Sequence, residues 1–228
     1  MSLLSHLGAP SNRQIAELLS WNGLGWRTQR YPHTIITLNP FELHKSGPNG
    51  YEVEQMSWRS VAMSARWSDE DWRNFLQTPP TPTDLIASAN AIFGGQLNGP
   101  VEGAVARSVR AELLPHLSAA LTEPNGAVAA YLGYDNSNKR LARFPIVNVD
   151  SMPYAVLGGD LQSAMTLWAQ DEFTESWWTN IVAFMWPNDN SWFLRVDPDA
   201  TFAAIGCGEK TAIALLSNNE IECYEAAG

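Results

Sequence analysis

The apolar run from Ile181 to Trp186 stops at Pro187, which has no N–H to give to a neighbouring strand, so a strand has to end there. Pro187-Asn188-Asp189-Asn190 is turn chemistry throughout, because proline presets φ and Asn and Asp bond their own backbone. From Ser191 to Val196 the side chains alternate: Trp192, Leu194 and Val196 take one face, Ser191, Phe193 and Arg195 the other. That spacing predicts a β-hairpin with one well-buried face. After the turn Asp197-Pro198-Asp199, Thr201–Ile205 reads as a third strand, Glu209–Leu216 as a short helix entered through Gly206-Cys207-Gly208, and Ile221–Tyr224 as a last strand. The result is a β–β–β–α–β unit whose helix must pack on a sheet face, since a helix this short is marginal alone in water.

Upstream, helices and strands alternate irregularly. Ser11 or Asn12 caps a helix to about Ser20, and Gly25–Leu38 reads as extended, broken at Tyr31-Pro32. His44–Gly50 reads as a loop. Tyr51–Trp67 is ambiguous, with the alternation of Val61, Met63, Ala65 and Trp67 favouring a strand that ends at Trp67. Ser68 followed by Asp-Glu-Asp is an N-cap signal for a short helix carrying Trp72, Phe75 and Leu76. Asp84–Phe93 reads as a helix stopped by Gly94-Gly95, and Pro100–Leu121 as a longer one split or kinked at Pro115. Gly126–Tyr134 and Leu141–Val149 are expected to form a second hairpin through the turn 135–139. Met152–Leu157 adds a strand, Gly158-Gly159 a turn, and Asp160 caps a helix to about Trp168. The class is therefore α+β, with a largely antiparallel sheet and helices packed on it. The expected organisation is one domain over residues 1–228, with the proline-rich Thr78–Thr83 as the one internal boundary.

Charge narrows the function. Twenty-four acidic against fourteen basic residues give a net charge of −10, and the basic ones are scattered, so no patch is available to neutralise phosphates and nucleic acid is excluded as a partner. No run of about 18 apolar residues and no basic-then-apolar leader is present, so no membrane association is expected and the compartment is taken as cytoplasmic. There Cys207 and Cys223 stay thiols, and with no histidine beside them in sequence they make no zinc site.

Several stretches imitate reactive motifs. Gly206-Cys-Gly-Glu-Lys-Thr211 departs from a phosphate-binding loop because Glu209 separates the glycine from the lysine and would repel phosphate. Asp189 and Asp197 lie at opposite ends of a strand, about 20 Å apart, and share no ion, while Asp197-Pro-Asp199 is a turn that bonds its own backbone. His33 and His44 flank Glu42, with Glu52 and Glu54 nearby, which allows an acid–base pair, but surface loops explain the same facts. No catalytic residue, cofactor or metal is assigned.

Tryptophan is the compositional excess, at ten residues. Most must be core simply to fill it. Trp177-Trp178 stands beside Glu172 and Glu175, and in a strand the two rings point to opposite faces, leaving one for a partner. With Asp189, Asp197 and Asp199, these residues form the expected partner-binding set.

The pattern Trp186-Pro187-x-Asp189-x-Ser191-Trp192-Phe193, then Val196-Asp197-x-Asp199-x-Thr201 and a terminal helix and strand, resembles the ending of a group of uncharacterised bacterial proteins. Met152–Asp160 is similar to the segment preceding that tail. The resemblance covers the last third of the chain and implies a bacterial cytoplasmic origin, with no activity attached. The expected function is a protein-interaction module, of the inhibitor or immunity type, whose acidic surface meets a basic partner. The alternatives are a small-ligand binder or hydrolase-like enzyme with a cleft beside the sheet, using Asp197, Asp199 or His33, and a subunit of a homo-oligomer.

Overall fold

The computed structural model describes residues 6–21, 24, 28, 30–47, 50–77, 81–94, 96–132, 141–169 and 182–226. In chain order the elements are β1 (Leu7–Gly8), α1 (Asn12–Leu19), β2 (His33–Leu38), β3 (Phe41–Gly47), β4 (Gly50–Met56), α2 (Trp58–Ser64), α3 (Asp69–Phe75), α4 (Pro82–Phe93) and β5 (Leu97–Asn98). There follow α5 (Arg107–Ala119), β6 (Asn125–Tyr131), β7 (Ile146–Val149), β8 (Met152–Asp160), α6 (Leu161–Ala169), β9 (Val182–Pro187), β10 (Trp192–Val196), β11 (Phe202–Cys207), α7 (Glu209–Leu216) and β12 (Cys223–Glu225). The fold is α+β, and every strand pair among the described residues is antiparallel. Among the described residues, no helix is long and apolar enough to cross a membrane.

A nine-stranded sheet runs β1-β8-β6-β9-β10-β11-β2-β12, with β7 also on β8. The C-terminal hairpin forms as its turn chemistry dictates, with Leu194 opposite Met185 and Arg195 opposite Phe184. β11 adds to β10 with Ile205 opposite Leu194. The terminal strand, however, does not join β11. β2 is inserted between them, pairing six residues with β11 and three with β12. Only tertiary structure brings β2 there, from some 160 residues upstream of β11.

Both faces of this sheet are covered. On one, α5, α6 and α7 bury Val109, Leu113, Leu117, Leu161, Met165, Trp168 and Leu215 against Val128, Leu157, Met185, Leu194 and Ile205. On the other, Trp21 stacks on Phe193 at 4.0 Å between ring centroids and on Tyr31 at 6.1 Å, over Ala129, Phe184 and Trp186. Gly206 leaves the space for that stack, since a Cβ there would meet Tyr31 at 2.5 Å and Thr28 at 2.6 Å. Farther along the same face, Ile36, Leu38, Phe202 and Ala204 pack against a second layer made of β3, β5, α2, α3 and α4, with Phe41, Trp58 and Leu85 fully buried in it. Hence β10 is buried along its whole length, Arg195 included, where alternation predicted one buried face.

Other local expectations are corrected. Residues 58–64 are helical, not extended, because Ser57 Oγ accepts from Ser60 N and the Glu222 carboxylate accepts from the N–H of Trp58 (2.6 Å) and of Arg59 (2.8 Å). Residues 44–47 continue β3 instead of forming a loop. Pro115 sits inside a continuous α5, which begins at Arg107 rather than at Pro100. Residues 141–143 make a turn of 3-10 helix, and β7 pairs with β8, not with β6, so the second hairpin is β7–β8; the turn at 135–139 lies outside the described residues. β8 runs on through Gly158 and Gly159 to Asp160, because β6 pairs with it as far as Asp160 and β1 adds on its other side at the two glycines. The capping boxes at Ser11 and Ser68 and the Gly94 C-cap form as their residues predict.

Candidate functional site

The second sheet has the order β4-β3-β5. The outer strand of most sheet edges here is short: β5 and β1 have two residues each, β12 three and β7 four. β4 has seven. Among the described residues it pairs on one side only, in unbroken register with β3 from Phe41–Met56 to Gly47–Gly50. Residues 52–55 are exposed on both faces, Val53 at 54%. Strand edges left open are templates for another strand, and proteins ordinarily shorten, bulge or interrupt them.

Acidic side chains line this hairpin. Glu52 folds over Gly47, where a Cβ would meet its Oε1 at 2.8 Å. Glu54 pairs with Lys45 across the ladder, and Glu42 Oε2 lies 3.6 Å from His44 Nε2. Glu42, Glu52 and Glu54 thus face Lys45 as the only lysine or arginine of the hairpin 41–56, which leaves a net negative edge. Like charges opposing one another across paired strands destabilise the pairing. A two-fold copy of β4 centred on residue 52, 53 or 54 sets glutamate against glutamate in each case, so the edge disfavours its own copy and suits a basic strand.

The sequence-predicted set fares unevenly. Trp177, Trp178, Glu172 and Glu175 lie outside the described residues. Asp189 accepts from Ser191 N (2.8 Å), Thr122 N (3.1 Å) and Thr122 Oγ1, so it ties the β9–β10 turn to the α5–β6 connection. Burial pushes its carboxyl up, but these bonds outweigh burial and hold it below the ordinary carboxylate value. Asp197 Oδ1 accepts from Asp199 N at 3.0 Å, closing the turn on its own backbone, while its Oδ2 stands 3.9 Å from Arg195 Nη2. Asp189 and Asp197 sit at opposite ends of β10 and are not brought together.

The histidines divide between the sheets. His44 belongs to β3, whereas His33 starts β2 with Nδ1 2.7 Å from Glu225 Oε1. The ladder places His33 opposite Cys207, a neighbour that linear spacing hid. Cysteine, histidine and carboxylate together suggest nucleophile chemistry, but Cys207 is fully buried and burial, then Glu225, pushes its thiol up to about 12, opposite to an activated thiolate. Cys223 is likewise pushed up to about 11, chiefly by burial. Both are free thiols, on opposite sides of β2, with Cys207 at the level of His33 and Cys223 at that of Thr37. Among the described residues no three His, Cys, Asp or Glu side chains are grouped to hold a metal ion.

The β4 edge escaped the sequence reading because residues 44–50 looked like a turn cluster. The alternation Glu52-Val53-Glu54-Gln55 was the available signal, and its acidic side chains identify an exposed strand. The chain matches no family model, no curated protein and no solved structure.

Proposed function

We propose that the protein is an interaction module, of the inhibitor or immunity type, that takes a basic, extended segment of a partner protein as an added strand on β4. The observation that carries this is a seven-residue edge strand, unblunted by bulge or proline and open on both faces at residues 52–55. Main-chain hydrogen bonds supply the affinity in strand addition, and side chains at alternate positions supply specificity. Lysine or arginine spaced two apart on the incoming strand would meet Glu52 and Glu54. The net charge of −10 adds long-range attraction for such a partner and repels a second copy, which disfavours the homo-oligomer reading. A cytoplasmic setting suits the free thiols Cys207 and Cys223.

The test combines native mass spectrometry of the protein purified from its own host with hydrogen exchange. A retained protein partner should slow exchange at residues 50–56. The double variant Glu52→Lys/Glu54→Lys should weaken the complex by about 10- to 100-fold at low salt and flatten its salt dependence. A parallel pair, Glu172→Lys and Glu175→Lys, asks whether the Trp177-Trp178 segment shares the interface. A complex that leaves residues 50–56 unprotected and ignores the β4 reversal would overturn the assignment.

A further inference from the structure

The backbone of β3 fixes which groups β4 turns outward. The N–H of His44 donates to the C=O of Gln96 at 2.9 Å, on the β5 side. In a strand the N–H and C=O of one residue point the same way, so His44–Val53 is a non-hydrogen-bonded pair of the β3–β4 ladder. Val53 therefore points its own N–H and C=O away from β3, into the open edge. Because the register is unbroken, the alternation carries to both sides, and Tyr51 and Gln55 turn their main chain outward as well. Glu52 and Glu54 turn theirs inward, to Lys45 and Leu43. The outward groups of Tyr51, Val53 and Gln55 have no partner strand among the described residues.

Side chains follow the same period of two. Glu52 and Glu54 lie on the face of Lys45, and Val53 lies on the face of His44. The two glutamates are not equivalent. Glu54 is paired with Lys45, whereas Glu52, which leans over Gly47, has no ion pair among the described residues. A cationic side chain brought to this edge gains a whole carboxylate at Glu52 and shares one at Glu54.

Resting on strand addition at β4 as proposed above, we infer that the partner strand enters antiparallel and in one register. A β-branched apolar residue lies opposite Val53, a basic residue stands on each side of it, and the dominant basic residue is the one opposite Glu52. In that arrangement the residues opposite Tyr51, Val53 and Gln55 exchange both main-chain bonds with β4. Glu52 and Glu54 then fall in the non-hydrogen-bonded pairs, where Cα atoms are about 4.5 Å apart instead of about 5.5 Å and side chains meet most closely. A parallel strand uses the same outward groups but has no such close pairs, and its slanted bonds are slightly weaker per residue. A slip by one residue moves the basic side chains to the face of Val53 and His44 and leaves Glu52 unanswered. Proline is placed by the same geometry. It is forbidden opposite Val53, where the incoming N–H donates to the Val53 C=O, and tolerated opposite Glu52 or Glu54, where the incoming N–H faces away.

The probe is the peptide acetyl-Thr-Val-Lys-Val-Arg-Val-Thr-amide, whose central valine falls opposite Val53 and whose arginine falls opposite Glu52. It is titrated into the full chain and followed by amide NMR shifts and hydrogen exchange. In the free protein the amides of Tyr51, Val53 and Gln55 should exchange fast and those of Glu52 and Glu54 slowly, and the peptide should slow the first three. N-methylation of the central valine should weaken binding at least about tenfold, whereas N-methylation of the arginine should leave it within about threefold. Glu52→Gln should cost about three- to fivefold in affinity, and Glu54→Gln less. The reverse N-methyl pattern is the mark of a parallel or slipped strand; it overturns the inferred register and leaves strand addition standing. Protection of residues 51, 53 and 55 in the free chain overturns both, because the edge is then already paired. A peptide that does not bind overturns the basic–apolar–basic pattern, and protection of residues 50–56 by a partner from the host then decides strand addition separately.

Discussion

Asp189 shows how a single carboxylate can look like a site and act as a fastener. Its folded pKa is depressed by the hydrogen bonds from Thr122 and Ser191 against the effect of burial. An acid with a depressed folded value contributes stability that is fully present above its ordinary value near 3.9 and is lost as pH falls through the folded value. Asp189→Asn should therefore cost about 1–2 kcal/mol at neutral pH. The cost should shrink progressively as urea denaturation is repeated at pH values below about 4. A penalty that stays constant into acid would mean that the carboxylate's charge is irrelevant there. Arg195 is the converse case. Alternation placed it on a solvent face, yet it is buried, because the layers carrying Trp21 and Trp58 cover that face and neither is visible from residues 191–196. Asp197 was legible through its turn chemistry. Asp150 was not, since Arg195, which donates to it, lies 45 residues on and only the fold joins them.

Elements with their own caps were readable, and elements completed from elsewhere were not. Ser11, Ser68 and Gly94 carry local instructions, and α1, α3 and α4 obey them. α2 is different. Its sequence alternates like a strand through Val61, Met63 and Ala65, but Met63 is 68% exposed while Val61 and Ala62 are buried, the pattern of a helix. The deciding residue is Glu222, whose carboxylate answers the N–H groups of Trp58 and Arg59 from the loop between α7 and β12. Burial raises the pKa of Glu222 against the pull of those two bonds, so part of their value is spent on desolvation. Glu222→Ala should cost only about 1 kcal/mol overall, the typical worth of a cap. Its signature should be local, with faster amide exchange across residues 58–64 and unchanged protection of β11. Equal loosening of β11 would mean that Glu222 holds the sheet rather than the helix.

At the scale of the molecule, the insertion of β2 between β11 and β12 decides whether the C-terminal unit is autonomous. Read alone, residues 182–225 look like a self-contained β–β–β–α–β module, and the hairpin, the third strand and α7 all form where that reading puts them. The missing fact is that β11 and β12 do not touch as neighbours. β2 fills the gap and buries Ile35, Ile36 and Leu38 to within 1% of completely. Three side chains of this kind contribute about 6 kcal/mol by burial. That is a large share of the 5–15 kcal/mol that holds a typical domain folded. Removing residues 1–100 also uncovers Phe193 and Trp186, against which Trp21 packs. A fragment of residues 101–228 should therefore lack near-UV circular dichroism and a cooperative melt, even where far-UV signal persists. Adding the 1–100 fragment should restore both if the two parts recognise each other through β2. A fragment that melts cooperatively alone would show that β11 and β12 close on one another without β2, and that the N-terminal half is a graft on a finished sheet.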